Sequence, residues 1–318
     1  MLFQVSPISL EMAQKYHYPP WLVSRFQHII PNTSKLFQFL ESTPRKFIRI
    51  NALKTTVSET VERLRSSGFE LKESILPDVL EVTREPYSLG STVEYLLGHY
   101  YIQDLSSCLA VSALDVSDSK LILDMTCAPG GKTTYIAQKM NNLGELLAVD
   151  TSRRRIRSTY FNLMRCGVQN THLYNMDATN AHTFGLKFDR VLLDAPCSCE
   201  GVISRDPSIK NRIKPNLIDR CARRQLLLLD TALKITKPGG IVIYSTCTFA
   251  PEENELVVNA LINSREDIHV EPLDFGENGL TSFSSQSLDL SLSRTKRLYP
   301  HIHGTLGFYI AKLRVGFE

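Results

Sequence analysis

The stretch LILDMTCAPGGKTTYIAQK, residues 121–139, reads as an apolar strand, a glycine-bearing loop and a helix in immediate succession. The apolar run closes on Asp124, and Gly130 and Gly131 follow where the chain turns toward the helix. Paired glycines at such a turn let a ligand approach the backbone closely. GGKTT invites a phosphate-loop reading, but that motif requires glycine at 126, where Thr126 stands, so a nucleoside triphosphate site is disfavoured. A tight turn alone would account for the two glycines. It leaves Cys127, Ala128, Pro129 and Lys132 without a reason.

Downstream the same alternation continues. ELLAVD (145–150), THLYNMD (171–177), DRVLLD (189–194) and IVIYSTC (241–247) are short runs rich in Val, Ile and Leu, most of them separated by helical stretches. This pattern predicts an α/β fold with a parallel sheet covered on both faces. Open sheets of this kind bind ligands at the carboxyl ends of their strands. At or just beyond those ends stand Asp124, Asp150, Asp177, Asp194 and Cys247. One such acid would be a fair helix cap; five polar groups on one edge point to a site. Asp150, closing the second strand, is placed to accept hydrogen bonds from the ribose diol of an adenosine-containing cofactor. The run TLGFYIAKLRV (305–315) predicts a last strand, and the Ser-rich TSFSSQSLDLSLS (281–293) a loop.

Upstream the pattern is different. Prolines at PPW (19–21) and IIP (29–31) break short helices, KFIRINALK (46–54) alternates like a strand, and TVSETVERLRSSGF predicts a helix ending at Gly68. ELKES and DVLEVTR read as further strands. EYLLGHYYIQDLSSCLAVSAL (94–114) reads as a connecting helix. The expected organisation is an amino-terminal α+β unit over 1–115 and a Rossmann-like catalytic domain over 116–318.

The 318-residue composition, 43% hydrophobic and 22% charged, excludes disordered, collagen-like and coiled-coil chains. No run approaches the roughly 20 apolar residues of a membrane span, and MLFQVSPISLEMAQ lacks the pattern of a secretory signal. Seven cysteines, an odd number, fit free thiols in a reducing compartment, so a cytoplasmic protein is expected. The net charge of +3 identifies no partner. Its distribution is more telling: Arg205, Lys210, Arg212, Lys214, Arg220, Arg223 and Arg224 crowd one segment, and Arg153, Arg154, Arg155 and Arg157 another. Either cluster suits phosphates, and either is equally a solvated helix face.

Two cysteine motifs are more specific. DRVLLD runs into LLDAPCSCEG (192–201), and IVIYSTC into YSTCTFAPEENE (244–255). Cys197 and Cys247 therefore fall on loops at one edge of the predicted sheet, whereas Cys108, Cys166 and Cys221 sit in helical stretches and read as core. C-x-C is compatible with metal binding, but no second ligand pair stands at suitable spacing, so no metal is expected.

These motifs, in this order, resemble the NOL/NOP/Sun family of RNA cytosine-5 methyltransferases. The resemblance runs from FIRINALK (47–54) and YIQDLSS (101–107) through DAPCS, YSTCT and ENE to FYIAKLR (308–314). The EYLLGHY-like segment and AKLR ending are most similar to archaeal tRNA members. Two positions depart from the family loop, which has Ala where Cys127 stands and Gly where Cys199 stands.

The resemblance implies S-adenosylmethionine as cofactor and RNA, tRNA above all, as partner. It implies Cys247 as the nucleophile, Cys197 as the thiol that helps release product, and Asp194 at the N3/N4 edge of the base, with Lys132 also facing it. It places the cofactor against Thr126, Cys127, Ala128, Pro129, Gly130, Gly131 and Lys132, with Asp150 and Arg155 nearby, Asp177 toward the adenine and Asp194 near the methyl. The chemistry wants a thiolate: cytosine C5 attacks a methyl group poorly until a nucleophile adds at C6. A stacked base presents neither atom, so the target is flipped out. Ribosomal RNA remains an alternative substrate. DNA cytosine-5 methylation would use Cys197 as nucleophile and leave the STC motif unexplained, and a silent RNA-binding assembly factor would leave both cysteines idle.

Overall fold

A computed structural model describes residues 4–316. The chain forms two compact units, neither continuous in sequence: one gathers Met1–Pro44, Ala195–Leu227 and Tyr244–Lys312, the other Arg45–Asp194, Leu228–Ile243 and Leu313–Glu318. The stretch 1–115 expected as one amino-terminal unit is thus divided between them after Pro44.

The first unit opens with α1 (Pro7–Tyr16), α2 (Pro20–Ile29) and α3 (Thr33–Leu40). Ser6 caps α1 with its hydroxyl, and prolines occupy the first turns of α1 and α2, where a missing N–H costs nothing. These helices bury Leu22, Val23, Phe26 and Phe37 in one core with Ile203, Ile209, Ile213 and Phe249.

The second unit begins with β1 (Lys46–Ile50), α4 (Val57–Ser66), β2 (Glu70–Glu73), β3 (Val79–Arg84), α5 (Val93–Leu96) and β4 (Tyr100–Ile102). The four strands make an antiparallel sheet in the order β2-β3-β1-β4. A capping box between Thr56 and Glu59 starts α4, which helps bury Leu64 beside Ile48, Ile50, Leu80 and Tyr100. The continuous helix expected over 94–114 is not formed. It is interrupted by β4, whose Tyr101 lies opposite Arg49, and resumes as α6 (Leu105–Ala113). Gly98 explains the break: its φ is +77°, and a Cβ there would stand 2.0 Å from the Arg165 carbonyl, so the backbone turns where no side chain fits.

Next come β5 (Leu121–Asp124), α7 (Gly131–Lys139), β6 (Glu145–Asp150), α8 (Arg153–Cys166), β7 (Thr171–Asn175) and β8 (Phe188–Asp194). β5 pairs in parallel with both β6 and β8, and β6 with β7. Ile122, Leu123, Leu146, Leu147, Val191 and Leu192 are all buried, as strands sandwiched between helices require. On α8, Thr159, Leu163 and Cys166 turn inward while Arg153, Arg154 and Arg157 remain exposed. The later elements are α9 (Ile209–Arg212), α10 (Pro215–Ile235), β9 (Thr236–Thr246), α11 (Glu255–Ile262), β10 (Ile268–Glu271), β11 (Glu277–Asn278), β12 (Ser282–Phe283), β13 (Gln286–Ser287), β14 (Lys296–Leu298), α12 (Pro300–His303) and β15 (Phe308–Val315).

The larger sheet runs β11-β14-β15-β9-β8-β5-β6-β7, with β10 beside β15. From β5 the chain proceeds outward through β6 and β7, then returns to β8 on the other side of β5. That reversal puts the topological switch, where open sheets of this kind bind ligands, at the carboxyl ends of β5 and β8. The Ser-rich 281–293 contains only the small β12–β13 hairpin and the start of a 3₁₀ turn. Among the described residues no helix is long and apolar enough to cross a membrane.

Candidate active site

In the second unit, the loop between β5 and α7 is fixed from several directions. Asp124, fully buried at the end of β5, accepts from the Thr126 N–H at 3.2 Å and the Thr133 hydroxyl at 2.7 Å. Burial pushes its carboxyl up to about 6. The Thr126 hydroxyl donates to the Asp194 carbonyl at 2.9 Å, and the Cys127 N–H to the Val149 carbonyl at 2.9 Å. Cys127 is buried, and that burial raises its thiol. Gly130 takes φ +104° at the start of α7. No side chain of the described residues caps that helix, and a helix start of this kind suits an anion such as a carboxylate.

The outer side of the loop is held by α8. Arg155 donates to the Ala128 carbonyl at 2.6 Å and faces Asp150 at 3.6 Å. Asn162 donates to the Pro129 carbonyl at 2.9 Å. Asp150, at the end of β6, is buried and accepts the Ser152 N–H at 2.8 Å. Asp177 accepts from the Thr179 N–H at 2.9 Å and caps a 3₁₀ turn, while the neighbouring Met176 N–H reaches the Asp150 carbonyl at 3.2 Å. Lys132 pairs with Asp194 at 2.7 Å. Thr126, Lys132, Asp150, Arg155 and Asp194 are thus brought together. An acceptor at the end of β6 and the uncapped start of α7 fit the ribose and the carboxylate of S-adenosylmethionine.

Arg49, which the sequence reading passed over, supports this loop from β1. It is buried and donates to the Gly131 carbonyl at 2.8 Å, to Gln103 at 2.9 Å and to the Thr134 hydroxyl at 3.0 Å. It also lies over the rings of Tyr135 and Tyr101. The one signal was an arginine at an inward position between two isoleucines.

The first unit holds the cysteines. Cys197 follows β8 and Cys247 follows β9, and their sulfurs lie 3.3 Å apart; Cys199 Sγ is 3.9 Å from that of Cys197. None of the three is in a disulfide, and all are half-buried. The two loops are tied by their backbones: Ala195 N–H donates to the Ser245 carbonyl at 2.8 Å and Gly201 N–H to the Cys247 carbonyl at 2.9 Å. Ser198 and Thr248 join their hydroxyls at 2.7 Å. The neighbouring thiols of Cys199 and Cys247, with burial, push the Cys197 thiol well up, and the hydrogen bonds Cys199 receives from Cys197 and Cys247 draw its own down. The trio favours one ionisation and resists a second, because like charges would then lie within 4.8 Å.

The ENE motif, to which the sequence assigned no role, secures this arrangement. Glu253 accepts from the Ser198 N–H at 3.0 Å and Gln225 at 2.8 Å, and burial raises it to about 7. Asn254 donates to the Thr248 carbonyl at 3.0 Å and accepts from the Thr246 hydroxyl at 2.6 Å. Glu255 forms a buried pair with Arg297. Glu200, fully buried, accepts from the Thr248 hydroxyl at 3.1 Å and faces Arg25 of α2 at 3.5 Å.

The basic residues divide. Arg205, Arg212, Lys214, Arg220 and Arg223 are exposed, with Arg212 paired to Asp206 at 2.5 Å. Lys210 lies over the Tyr18 ring at 4.8 Å and belongs to packing as much as to the surface.

The switch-point sheet with its glycine-bearing loop has the architecture of S-adenosylmethionine-dependent methyltransferases. Residues 111–314 match the family model described as 16S rRNA methyltransferase RsmB/F, and residues 18–87 match the ferredoxin-like domain of RsmF/B-like methyltransferases. The chain belongs to this RsmB/F family. The β1-α4-β2-β3-α5-β4 succession and its sheet order are those of a ferredoxin-like domain.

Among solved structures, a methyltransferase homologue from Pyrococcus horikoshii is 36% identical with a TM-score of 0.89, the match covering 98% of this chain and 99% of that one. NSun6 from the same organism, solved with SFG, is 26% identical with a TM-score of 0.81 over 92% of this chain and 97% of that one. The 28S rRNA (cytosine-C(5))-methyltransferase of Mus musculus is 40% identical over 98% of this chain. The ribosomal RNA small subunit methyltransferase F of Erwinia tasmaniensis is 36% identical over 93%. The chain spans 40% of the first of these two relatives and 63% of the second.

Proposed function

We propose that this protein methylates C5 of cytosine in RNA, with S-adenosylmethionine as methyl donor and ribosomal RNA as the favoured substrate. The observation that carries the reading is the pair of thiols, from loops 50 residues apart, with sulfurs at 3.3 Å. A single nucleophile needs no such partner; addition and elimination at C6 give two thiols separate work.

The bound cofactor supplies an electrophilic methyl. The chain's own groups do the rest. Cys247 sulfur bonds to C6, breaking the ring's aromaticity and leaving C5 nucleophilic. After methyl transfer the C5 proton departs and the Cys247–C6 bond breaks, a stage we give to Cys197. Asp194 hydrogen-bonds the base at N3/N4 and favours its protonated form, and Lys132 holds that carboxylate in position. The exposed arginines of 205–223 meet backbone phosphates.

The ribosomal substrate follows the two relatives, both named as ribosomal RNA methyltransferases; tRNA, the expectation from the archaeal likeness, is the second arm of the test. Labelled S-adenosylmethionine is incubated with ribosomal RNA, tRNA or DNA, and the labelled base is identified. 5-Methylcytidine in ribosomal RNA supports the reading, label in tRNA alone replaces the substrate, and label in DNA alone overturns the activity.

A further inference from the structure

We infer that Cys197, Cys199 and Cys247 form a site for one soft divalent cation of the zinc class. They are the one group of potential ligands among the described residues whose donor atoms all lie within 4.8 Å of one another. Tetrahedral zinc holds thiolates at about 2.3 Å, which sets sulfurs about 3.8 Å apart. The observed separations of 3.3 Å and 3.9 Å straddle that value. Closing on an ion therefore asks for side-chain movements of roughly an ångström or less, measured against the same bond length.

The sequence offered only C-x-C; the third ligand comes from a loop 50 residues away. Cys199 completes the site. It sits at φ +64°, in the left-handed region where glycine is at ease and a side chain is strained. A glycine there leaves two sulfurs; the cysteine supplies a third. The loops carrying the trio are joined through Gly201 to Cys247 and through Ser198 to Thr248, so the donors are held in place before an ion arrives. All three residues are half-buried rather than sealed, which gives the ion a way in.

Binding exchanges protons for the metal: each ligating thiol releases its proton to solvent and donates a sulfur lone pair, with no change of oxidation state. A solvent molecule completes the fourth position. The ion then occupies the sulfur of Cys247. If that sulfur is the nucleophile proposed above, the ion blocks methyl transfer reversibly, and this consequence alone rests on that reading.

The test titrates the full chain with cadmium, a spectroscopic substitute, following the ultraviolet thiolate-to-metal charge-transfer band, with zinc as competitor. One equivalent per chain is expected. Cys199→Gly should weaken binding by roughly tenfold or more, since one of three thiolate donors is lost; Cys199→Ser should do the same, and Cys221→Ser should leave it unchanged. A missing band, undiminished affinity in both Cys199 variants, or an equal loss in Cys221→Ser overturns the site. Zinc inhibition of methyl transfer, relieved by a chelator, is read separately, so failure of the methyltransferase reading leaves the cadmium result standing.

Discussion

Arg49 donates a hydrogen bond to the carbonyl of Gly131 at 2.8 Å, linking β1 to the loop between β5 and α7. The same guanidinium reaches Gln103 and Thr134 and is held among neutral partners rather than by a carboxylate. Its bonds are therefore worth most when all are present, because each loss strands a buried polar group.

Replacing Arg49 by Met keeps much of the volume and removes every donor. About 2 kcal/mol or more of stability should be lost from the stranded acceptors. The loop should also lose its fixed position, weakening S-adenosylmethionine about tenfold, or about 1.4 kcal/mol. Thermal unfolding and calorimetric titration check the two effects. An unchanged cofactor affinity would confine Arg49 to packing.

Asp150→Ala separates cofactor recognition from folding. The carboxylate accepts the Ser152 N–H and faces Arg155, and we assign its ribose contact as a charged hydrogen bond worth about 1.5–3 kcal/mol. Calorimetry should show S-adenosylmethionine and S-adenosylhomocysteine weakened together by roughly tenfold to a hundredfold. Equal binding in the variant refutes the ribose assignment.

Glu253 gives the protein a pH dependence with a definite sign. Burial lifts its carboxyl from 4.5 to about 7, so between those values the folded chain holds a proton that the unfolded chain has released. Stability from this group is fully present below about 4.5 and falls as pH rises through about 7. Glu253→Gln, neutral throughout, should flatten that part of the profile. Denaturant unfolding across pH 4.5–7.5, with parallel slopes in both proteins, would show that Glu253 is not the titrating group.

The parallel strands were readable because each is a short run closing on a polar residue, and β15 because its apolar residues run on through FYIAKLRV. The carboxylates and cysteines at their ends were readable for the same reason. What escaped the sequence are buried polar groups whose partners come from far along the chain. Arg25 meets Glu252 across 227 residues, and Arg49 meets Thr134 across 85; no local pattern announces either. The 94–114 stretch misled because its apolar content suits a helix, while the close approach of Arg165 to Gly98 is visible only in three dimensions. Ser198 and Glu253, joined at 3.0 Å, lie in two motifs that the sequence shows separately.

The two cysteines are distinguished by what accumulates when each is removed. If Cys247 attacks C6, Cys247→Ala abolishes methyl transfer and forms no covalent link to RNA. If Cys197 assists release, Cys197→Ala still permits attack and methylation, and the product stays bound through Cys247. A protein–RNA adduct should then survive denaturing electrophoresis in Cys197→Ala and be absent from Cys247→Ala. Cys199 complicates the single variant, because its sulfur lies 3.9 Å from that of Cys197 and its thiol ionises readily. Proton exchange through Cys199 would let some product escape. Cys197→Ala/Cys199→Gly, with a residue suited to φ +64°, should therefore hold more adduct than Cys197→Ala alone. An adduct that accumulates in Cys247→Ala instead would exchange the roles of the two thiols.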